Sequence, residues 1–312
     1  MIPIIDITPL VSRDAKQEGV VNEIRDACET VGFFYVIGHG ISLDIQTKIF
    51  STAREFFALP EHVKHGVGVA KSRCFRGYVP FALTGPNVRK RMLEAFQMML
   101  DLGPDDPDVA VGNIMYGSNQ WPEDAPRMRA ILEAYYKEME ALSNHLLSAF
   151  ARALGEDSEF FNTYYQKPLT QLRLLHYPYV ESDNLEDQQG VEAHTDTGAF
   201  TILMQDDISG LEIKARDGSW LAASPIKDAF VINVGDMMQW WTAYRFISTP
   251  HRVTNRSGRS RYSVPFFVNP DRSAVITRLG ADPDDAGARF EVGAHVEKAY
   301  VDAWPREPTG VG

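Results

Sequence analysis

The chain has 312 residues, 44% hydrophobic and 23% charged, with a formal net charge of −11. That composition supports a substantial core and excludes a disordered chain, while the negative balance argues against nucleic acid as a partner, since phosphate binding relies on clustered Lys and Arg. Two cysteines, Cys28 and Cys74, build neither a disulfide framework nor a multi-cysteine zinc site, and MIPIIDITPL has no basic leader while no stretch approaches about 18 apolar residues, so a cytoplasmic protein away from membranes is expected.

In chain order, Asp14 to Val31 carries helical spacing through Val20, Val21, Ile24, Ala27, Cys28 and Val31 and stops at Gly32, where glycine accepts a left-handed cap. Phe33 to Ile37 then reads as a buried strand. Ser42 to Leu59 repeats the helical pattern through Ile45, Ile49, Phe56 and Phe57, with Pro60 as the stop. A long scaffold helix is predicted from Pro126 to about Leu154: Pro126 suits a first turn, and Met128, Ile131, Leu132, Tyr135, Met139, Leu142, Leu146 and Phe150 keep near-heptad spacing. From Leu169 the texture changes to short strands rich in Leu, Ile, Val, Phe and Tyr, the pattern of a β-sandwich or barrel. Asp217-Gly218 marks a hairpin turn within that region. No internal repeat or Gly/Ser linker interrupts the chain, which predicts one compact unit.

Within the β region stands Glu192-Ala193-His194-Thr195-Asp196-Thr197-Gly198. In an extended segment residues i and i+2 share a face, so His194 and Asp196 are expected to point together into the interior. His251, in Thr249-Pro250-His251-Arg252-Val253 on a later strand, supplies a third candidate ligand. Two histidines and a carboxylate on one face of a metal leave open positions, the arrangement of oxygen-activating non-haem Fe(II). An isolated His-x-Asp pair is more often a surface or capping feature, so the context decides. Beyond His251, Asn255-Arg256-Ser257-Gly258 reads as a hairpin turn that returns Arg261-Tyr262-Ser263 toward the metal strand. The arginine fork fits a carboxylate with two hydrogen bonds and Ser263 adds a donor, an anchor suited to the distal carboxylate of 2-oxoglutarate. A slip of one residue in the loop would turn those side chains outward.

These motifs stand in a longer ordered series: Ile4-Ile5-Asp6, Gly32-Phe33-Phe34-Tyr35-Val36, Gly38-His39-Gly40-Ile41, Phe56-Phe57-Ala58-Leu59-Pro60, Gly77-Tyr78, Leu174-Leu175-His176-Tyr177-Pro178, Gly235-Asp236 and Arg261-Tyr262-Ser263-Val264-Pro265-Phe266-Phe267. Over nearly its whole length the chain resembles the isopenicillin N synthase-like family of 2-oxoglutarate and Fe(II)-dependent oxygenases. The resemblance implies a mainly β protein with flanking helices: a double-stranded β-helix (jelly-roll) core, an N-terminal α/β region and a long scaffold helix. Its expected segments are 1–120, 121–168, 169–280 and 281–312, parts of one structural unit. It further implies iron at His194, Asp196 and His251, 2-oxoglutarate at Arg261 and Ser263, and O2 as the second co-substrate. Tyr177 is implied to donate its hydroxyl to the oxoacid or to a substrate carboxylate, although Leu175 stands where many members have Asn. Arg76 sits where some relatives hold a substrate carboxylate.

The implied reaction is oxidative decarboxylation to succinate and CO2 coupled to hydroxylation, desaturation or cyclisation of a small organic substrate, a specialised metabolite or amino-acid derivative. Phe200, Trp240, the loop from Arg73 to Leu83 and the C-terminal helix are candidate substrate contacts, weighed against the ordinary core role of large aromatics. His39, His62, His65 and His145 take structural readings, His176 faces away from Tyr177, and His295 opens a C-terminal helix. Three other readings remain at this level: an oxoacid-independent oxidase like isopenicillin N synthase, a silent small-molecule-binding jelly-roll, and a zinc hydrolase.

Overall fold

The computed structural model describes residues 1–81, 92–179, 189–282 and 284–303. It opens with β1 (Ile4–Asp6), a single turn α1 (Thr8–Val11) and α2 (Gln17–Thr30). The last helix buries Val20, Val21, Ile24, Ala27 and Cys28, the stripe read from the sequence. Gly32 follows at φ +69°, and a Cβ there would lie 2.0 Å from the Ile247 carbonyl oxygen, so both conformation and packing require glycine. Next come β2 (Phe33–Ile37) and α3 (Leu43–Phe57), the latter capped by Ser42, whose hydroxyl accepts from the Ile45 N–H. After Pro60, α4 (Glu61–Gly66) leads to β3 (Gly77–Val79) and β4 (Glu94–Met99), two short strands the periodicity did not predict. Both are buried throughout, so they lack the alternation that announces a strand. Leu83 lies outside the described residues.

A short α5 (Pro107–Ala110) precedes α6 (Met128–Leu154), which ends on Gly155 in the left-handed conformation. Pro126 stays in the preceding turn, two residues before the helix. The core strands follow: β5 (Gln171–Tyr177), β6 (Gln189–His194), β7 (Phe200–Gln205), β8 (Leu211–Lys214), β9 (Trp220–Ala222) and β10 (Phe230–Val234). Then come α7 (Asp236–Trp241), β11 (His251–Thr254), β12 (Arg261–Val268), β13 (Val275–Thr277), β14 (Arg289–Glu291) and α8 (Val292–Ala303). Among the described helices none is long and apolar enough to cross a membrane.

An eight-stranded sheet in the order β1-β2-β10-β7-β12-β5-β4-β3 faces a four-stranded sheet, β6-β11-β8-β9. This is the double-stranded β-helix, mainly β with flanking helices. Strand alternation divides the large sheet. Its outer side packs on α6 through Phe200 against Phe150 and Phe266 against Tyr136, both at 5.2 Å between ring centres, while the inner side faces the small sheet. At Asp217-Gly218 the β8–β9 hairpin turns as expected, with Gly218 at φ +85°. The expected hairpin at 255–258 is corrected: β11 belongs to the small sheet and β12 to the large one, so the segment crosses between sheets. Asn255 secures that crossing by donating to the carbonyls of Arg259 (2.8 Å) and Tyr177 (3.2 Å). A polar turn pattern reports reversal of the chain, not which strands then pair.

On the outer side of β4 and β5, the buried Glu94 carboxylate accepts from Tyr78 Oη (2.6 Å), His176 Nδ1 (2.7 Å) and Lys64 Nζ (2.9 Å). Burial alone would raise the Glu94 carboxyl, but these hydrogen bonds and the Lys64 charge bring it down to about 2. His176 also stacks on Tyr262 at 4.6 Å, facing away from Tyr177 as its alternation predicts.

Candidate active site

His194 is the last residue of β6 and His251 the first of β11, and the antiparallel register sets them directly opposite each other. Their rings stand 4.3 Å apart. Asp196 lies beyond the end of β6, in the bend toward β7, so the expected single-strand alternation is corrected. That bend is held by the start of α7: the Asp236 N–H donates to Asp196 O at 2.7 Å and the Met237 N–H to Gly198 O at 3.1 Å. A Cβ on Gly235 would meet Gly198 O at 2.2 Å, which explains glycine at this crossing.

The three side chains converge. Asp196 Oδ1 is 3.8 Å from Nε2 of both histidines, and one donor atom from each residue lies within 4.8 Å of the others. The far atom of each ligand is already engaged: His194 Nδ1 pairs with Glu192 O at 2.8 Å and His251 Nδ1 with Thr249 O at 3.3 Å. A carbonyl only accepts, so these contacts place the proton on Nδ1 and turn the Nε2 lone pair inward. Asp196 Oδ2 accepts from Thr201 Oγ1 (2.6 Å) and Asn233 Nδ2 (2.8 Å), leaving Oδ1 for the centre. Burial opposes its charge, yet the two histidines and these two donors hold the carboxyl below the usual range. Two imidazoles and a carboxylate on one side of a point form a donor set that fits Fe(II).

The trio opens on a cavity of about 550 Å³ between the sheets. Inward alternation brings Arg261, Ser263, Pro265 and Phe267 of β12, and Gln171, Arg173, Leu175 and Tyr177 of β5, into its wall. Arg261 is completely buried: Nε donates to Ile208 O (3.2 Å) and Nη2 to Gln205 Oε1 (2.8 Å), while Nη1 has no hydrogen-bond partner among the described residues. Its guanidinium lies 4.9 Å from the centre of the Tyr177 ring, the residue directly opposite in the sheet. A buried donor left open beside a serine hydroxyl is chemistry that fits a carboxylate.

Three expected substrate contacts lie elsewhere. Arg76 is buried away from the cavity, donating through Nη1 to Cys74 O and through Nη2 to Met115 O, because a fully enclosed guanidinium needs carbonyl partners. Phe200 occupies the outer phase of β7 and packs on α6. Trp240 packs at a tilt against Phe290 outside the cavity wall. The C-terminal helix does contribute, through Val296, Ala299 and Tyr300. Thr201, Asn233 and Arg173 were missed; the available signal was a polar residue set among apolar neighbours in a strand, FTILMQ, FVINV and QLRLL. Cys28 and Cys74 are buried free thiols, as expected.

Residues 2–124 match the model of the N-terminal region of non-haem dioxygenases in morphine synthesis, and residues 168–270 that of the 2OG-Fe(II) oxygenase superfamily. The 2-oxoglutarate-dependent dioxygenase citB of Monascus ruber is 37% identical, over 91% of this chain and 90% of its own length. Clavatol oxidase claD of Penicillium crustosum is 36% identical over 93% and 92%. The crystal structure of a full-length Neurospora crassa protein in complex with alpha-KG superposes with a TM-score of 0.84 and 26% identity, over 97% of this chain and 96% of that one.

Proposed function

The chain belongs to the 2-oxoglutarate and Fe(II)-dependent oxygenases of the isopenicillin N synthase-like type, and we propose from that premise that His194, Asp196 and His251 hold its iron while Arg261, Ser263 and Tyr177 hold its co-substrate. The enzyme is a dioxygenase that uses Fe(II), 2-oxoglutarate and O2 to hydroxylate, desaturate or cyclise a small organic substrate, releasing succinate and CO2. Bound iron supplies the activation of O2 that no side chain can provide. One observation carries the assignment: three donor atoms converge, and the far atom of every ligand is already committed.

The chain's own residues bind, orient and exclude water. The Asp196 carboxylate offsets part of the metal charge, and the two carbonyl-tethered imidazoles fix the face on which it sits. Arg261 neutralises the distal carboxylate of 2-oxoglutarate, assisted by the Ser263 and Tyr177 hydroxyls. Leu175, Leu203, Leu211, Val253 and Phe267 give the cavity its apolar wall, which keeps water from the reacting atoms. The likeness to a 2-oxoglutarate-dependent dioxygenase and to a structure in complex with alpha-KG favours the oxoacid-dependent route over an oxoacid-independent oxidase.

We also place the enzyme in the cytoplasm and in specialised metabolism, supported by its two unpaired buried thiols and its likeness to clavatol oxidase. The four segments 1–120, 121–168, 169–280 and 281–312 are proposed to act as one unit, a reading supported by β1–β4 sharing a sheet with the later strands. The test is stoichiometry: purified protein with Fe(II), O2 and 2-oxoglutarate should release succinate in step with product, and Asp196→Ala should abolish both. Product formed equally well without the oxoacid would refute the proposal.

A further inference from the structure

The co-substrate residues stand on one side of the large sheet, and a separate cluster stands on the other side of the same rungs. β5 ends at Tyr177 and β12 begins at Arg261, so the pair Arg261 and Tyr177 is the last rung of that ladder. The next two rungs are Tyr262 with His176 and Ser263 with Leu175. Side chains alternate along a strand, so Arg261, Ser263 and Tyr177 face the cavity while Tyr262 and His176 face outward. His176 is thus joined to Tyr177, and Tyr262 to both Arg261 and Ser263, through single peptide links of about 3.8 Å between Cα atoms. The end of a ladder opens more readily than its centre, because one side lacks a neighbouring rung. Asn255 fastens this end by donating to Tyr177 O at 3.2 Å, and the outward pair supplies a second fastening.

The His176 and Tyr262 rings lie face to face, 4.6 Å between centres and 10° apart in plane, so a slip between β5 and β12 would part them. His176 Nδ1 is bonded to Glu94 Oε1 at 2.7 Å, whereas Nε2 is buried without a hydrogen-bond partner among the described residues. The Glu94 bond therefore sets the rotation of the ring. Glu94 is held in turn by Tyr78 of β3 and by Lys64 of α4, which also reaches Glu61 at 2.7 Å. From α3, Phe57 packs 5.4 Å from the His176 ring and the Arg54 guanidinium lies 5.3 Å from the Tyr262 ring. All of these partners except Tyr262 come from the chain before Ala95, and none of them lines the cavity.

We infer that His176 is a positioning residue for the co-substrate: held by Glu94 and stacked on Tyr262, it fixes the rung that carries Tyr177 and Arg261. Through it the N-terminal region sets the affinity for 2-oxoglutarate without reaching the cavity. The inference rests on the oxygenase reading above, which assigns Arg261, Ser263 and Tyr177 to the co-substrate.

The test uses the full-length protein loaded anaerobically with Fe(II). 2-Oxoglutarate is titrated against the iron–oxoacid absorbance, and Fe(II) affinity is measured separately against a competing chelator. His176→Leu removes both ring and donor, so the dissociation constant for 2-oxoglutarate should rise about fivefold or more while Fe(II) affinity stays within about twofold. His176→Phe keeps the stack and His176→Asn keeps a donor near the Nδ1 position, and each should recover part of the loss. Tyr262→Phe should match the wild type and Tyr262→Leu should follow His176→Leu, so the inference stays testable if one variant fails to fold. Phe200→Leu weakens the same sheet away from this rung and controls for general loss of stability: its 2-oxoglutarate affinity should not move. An unchanged dissociation constant in folded His176→Leu or Tyr262→Leu overturns the inference, as does a parallel loss of Fe(II) affinity or an equal rise in Phe200→Leu. Absence of the iron–oxoacid absorbance in the wild type would strike the oxygenase reading and the inference together, whereas a normal wild-type titration with unmoved variants strikes the inference alone.

Discussion

Replacing Arg261 by Gln is the sharpest test of the co-substrate anchor. Its guanidinium is held by Ile208 O and Gln205 Oε1, and its buried Nη1 has no hydrogen-bond partner among the described residues. Removing one member of a buried, hydrogen-bonded charge pair costs about 2–5 kcal/mol. At about 1.4 kcal/mol per decade, the dissociation constant for 2-oxoglutarate should rise roughly 30- to 4000-fold. Arg261→Lys keeps the charge and loses the fork, so its rise should be near the lower end of that range. Anaerobic titration of the Fe(II)-loaded protein, followed by the iron–oxoacid absorbance, measures both variants. Fe(II) affinity and the far-ultraviolet circular dichroism should stay unchanged. A rise below about threefold in Arg261→Gln, with the fold retained, would refute the anchor.

Thr201→Val removes a hydroxyl from Asp196 Oδ2 and should weaken Fe(II) binding about 10- to 100-fold, read by metal titration against a competing chelator. Gly235→Ala would press a Cβ to 2.2 Å from Gly198 O and 3.0 Å from Asp196 O, so it should cost about 1–3 kcal/mol in urea unfolding and weaken Fe(II) binding as well. Glu94→Gln tests the buried carboxylate that runs from 4.5 down to about 2 on folding, a difference of up to about 3 kcal/mol. Because the folded value is the lower one, that stability is fully present above pH 4.5 and lost as pH falls toward 2, so the gap between wild type and variant should close across that window. Phe200→Leu should lower stability by about 1 kcal/mol through α6 packing and leave 2-oxoglutarate affinity unchanged; altered affinity would restore Phe200 to the site.

Elements whose packing follows a single face were legible from the sequence. The stripes of α2, α3 and α6 gave their positions, and their ends moved only by the few residues that caps decide. By contrast β4, EAFQMM, places Glu94 and Gln97 inside the protein, where the Glu94 carboxylate and the Gln97 amide N–H bond to partners far along the chain, and no local pattern reports a distant partner. The metal trio was legible as residue types, because two histidines and an aspartate stood in strand country. Its geometry was not: Asp196 is aimed by backbone hydrogen bonds from the start of α7, not by alternation along β6. Arg261 and Arg76 illustrate the same limit. Both are fully buried arginines, and the cavity holds one while main-chain carbonyls enclose the other, a distinction that only the packed sheets make.

The order of the large sheet bears on how the molecule is made. Strands β1 and β2 form one border and β3 and β4 the other, while every strand between them comes from residues after Leu169. During synthesis the two margins leave the ribosome first and must wait, β2 for β10 and β4 for β5, until the middle arrives. Chain closure over such separations is slow, and the waiting strands offer bare main-chain donors and acceptors to other nascent chains. Yield on overproduction should therefore depend on temperature and chaperone supply more than on the stability of the finished enzyme.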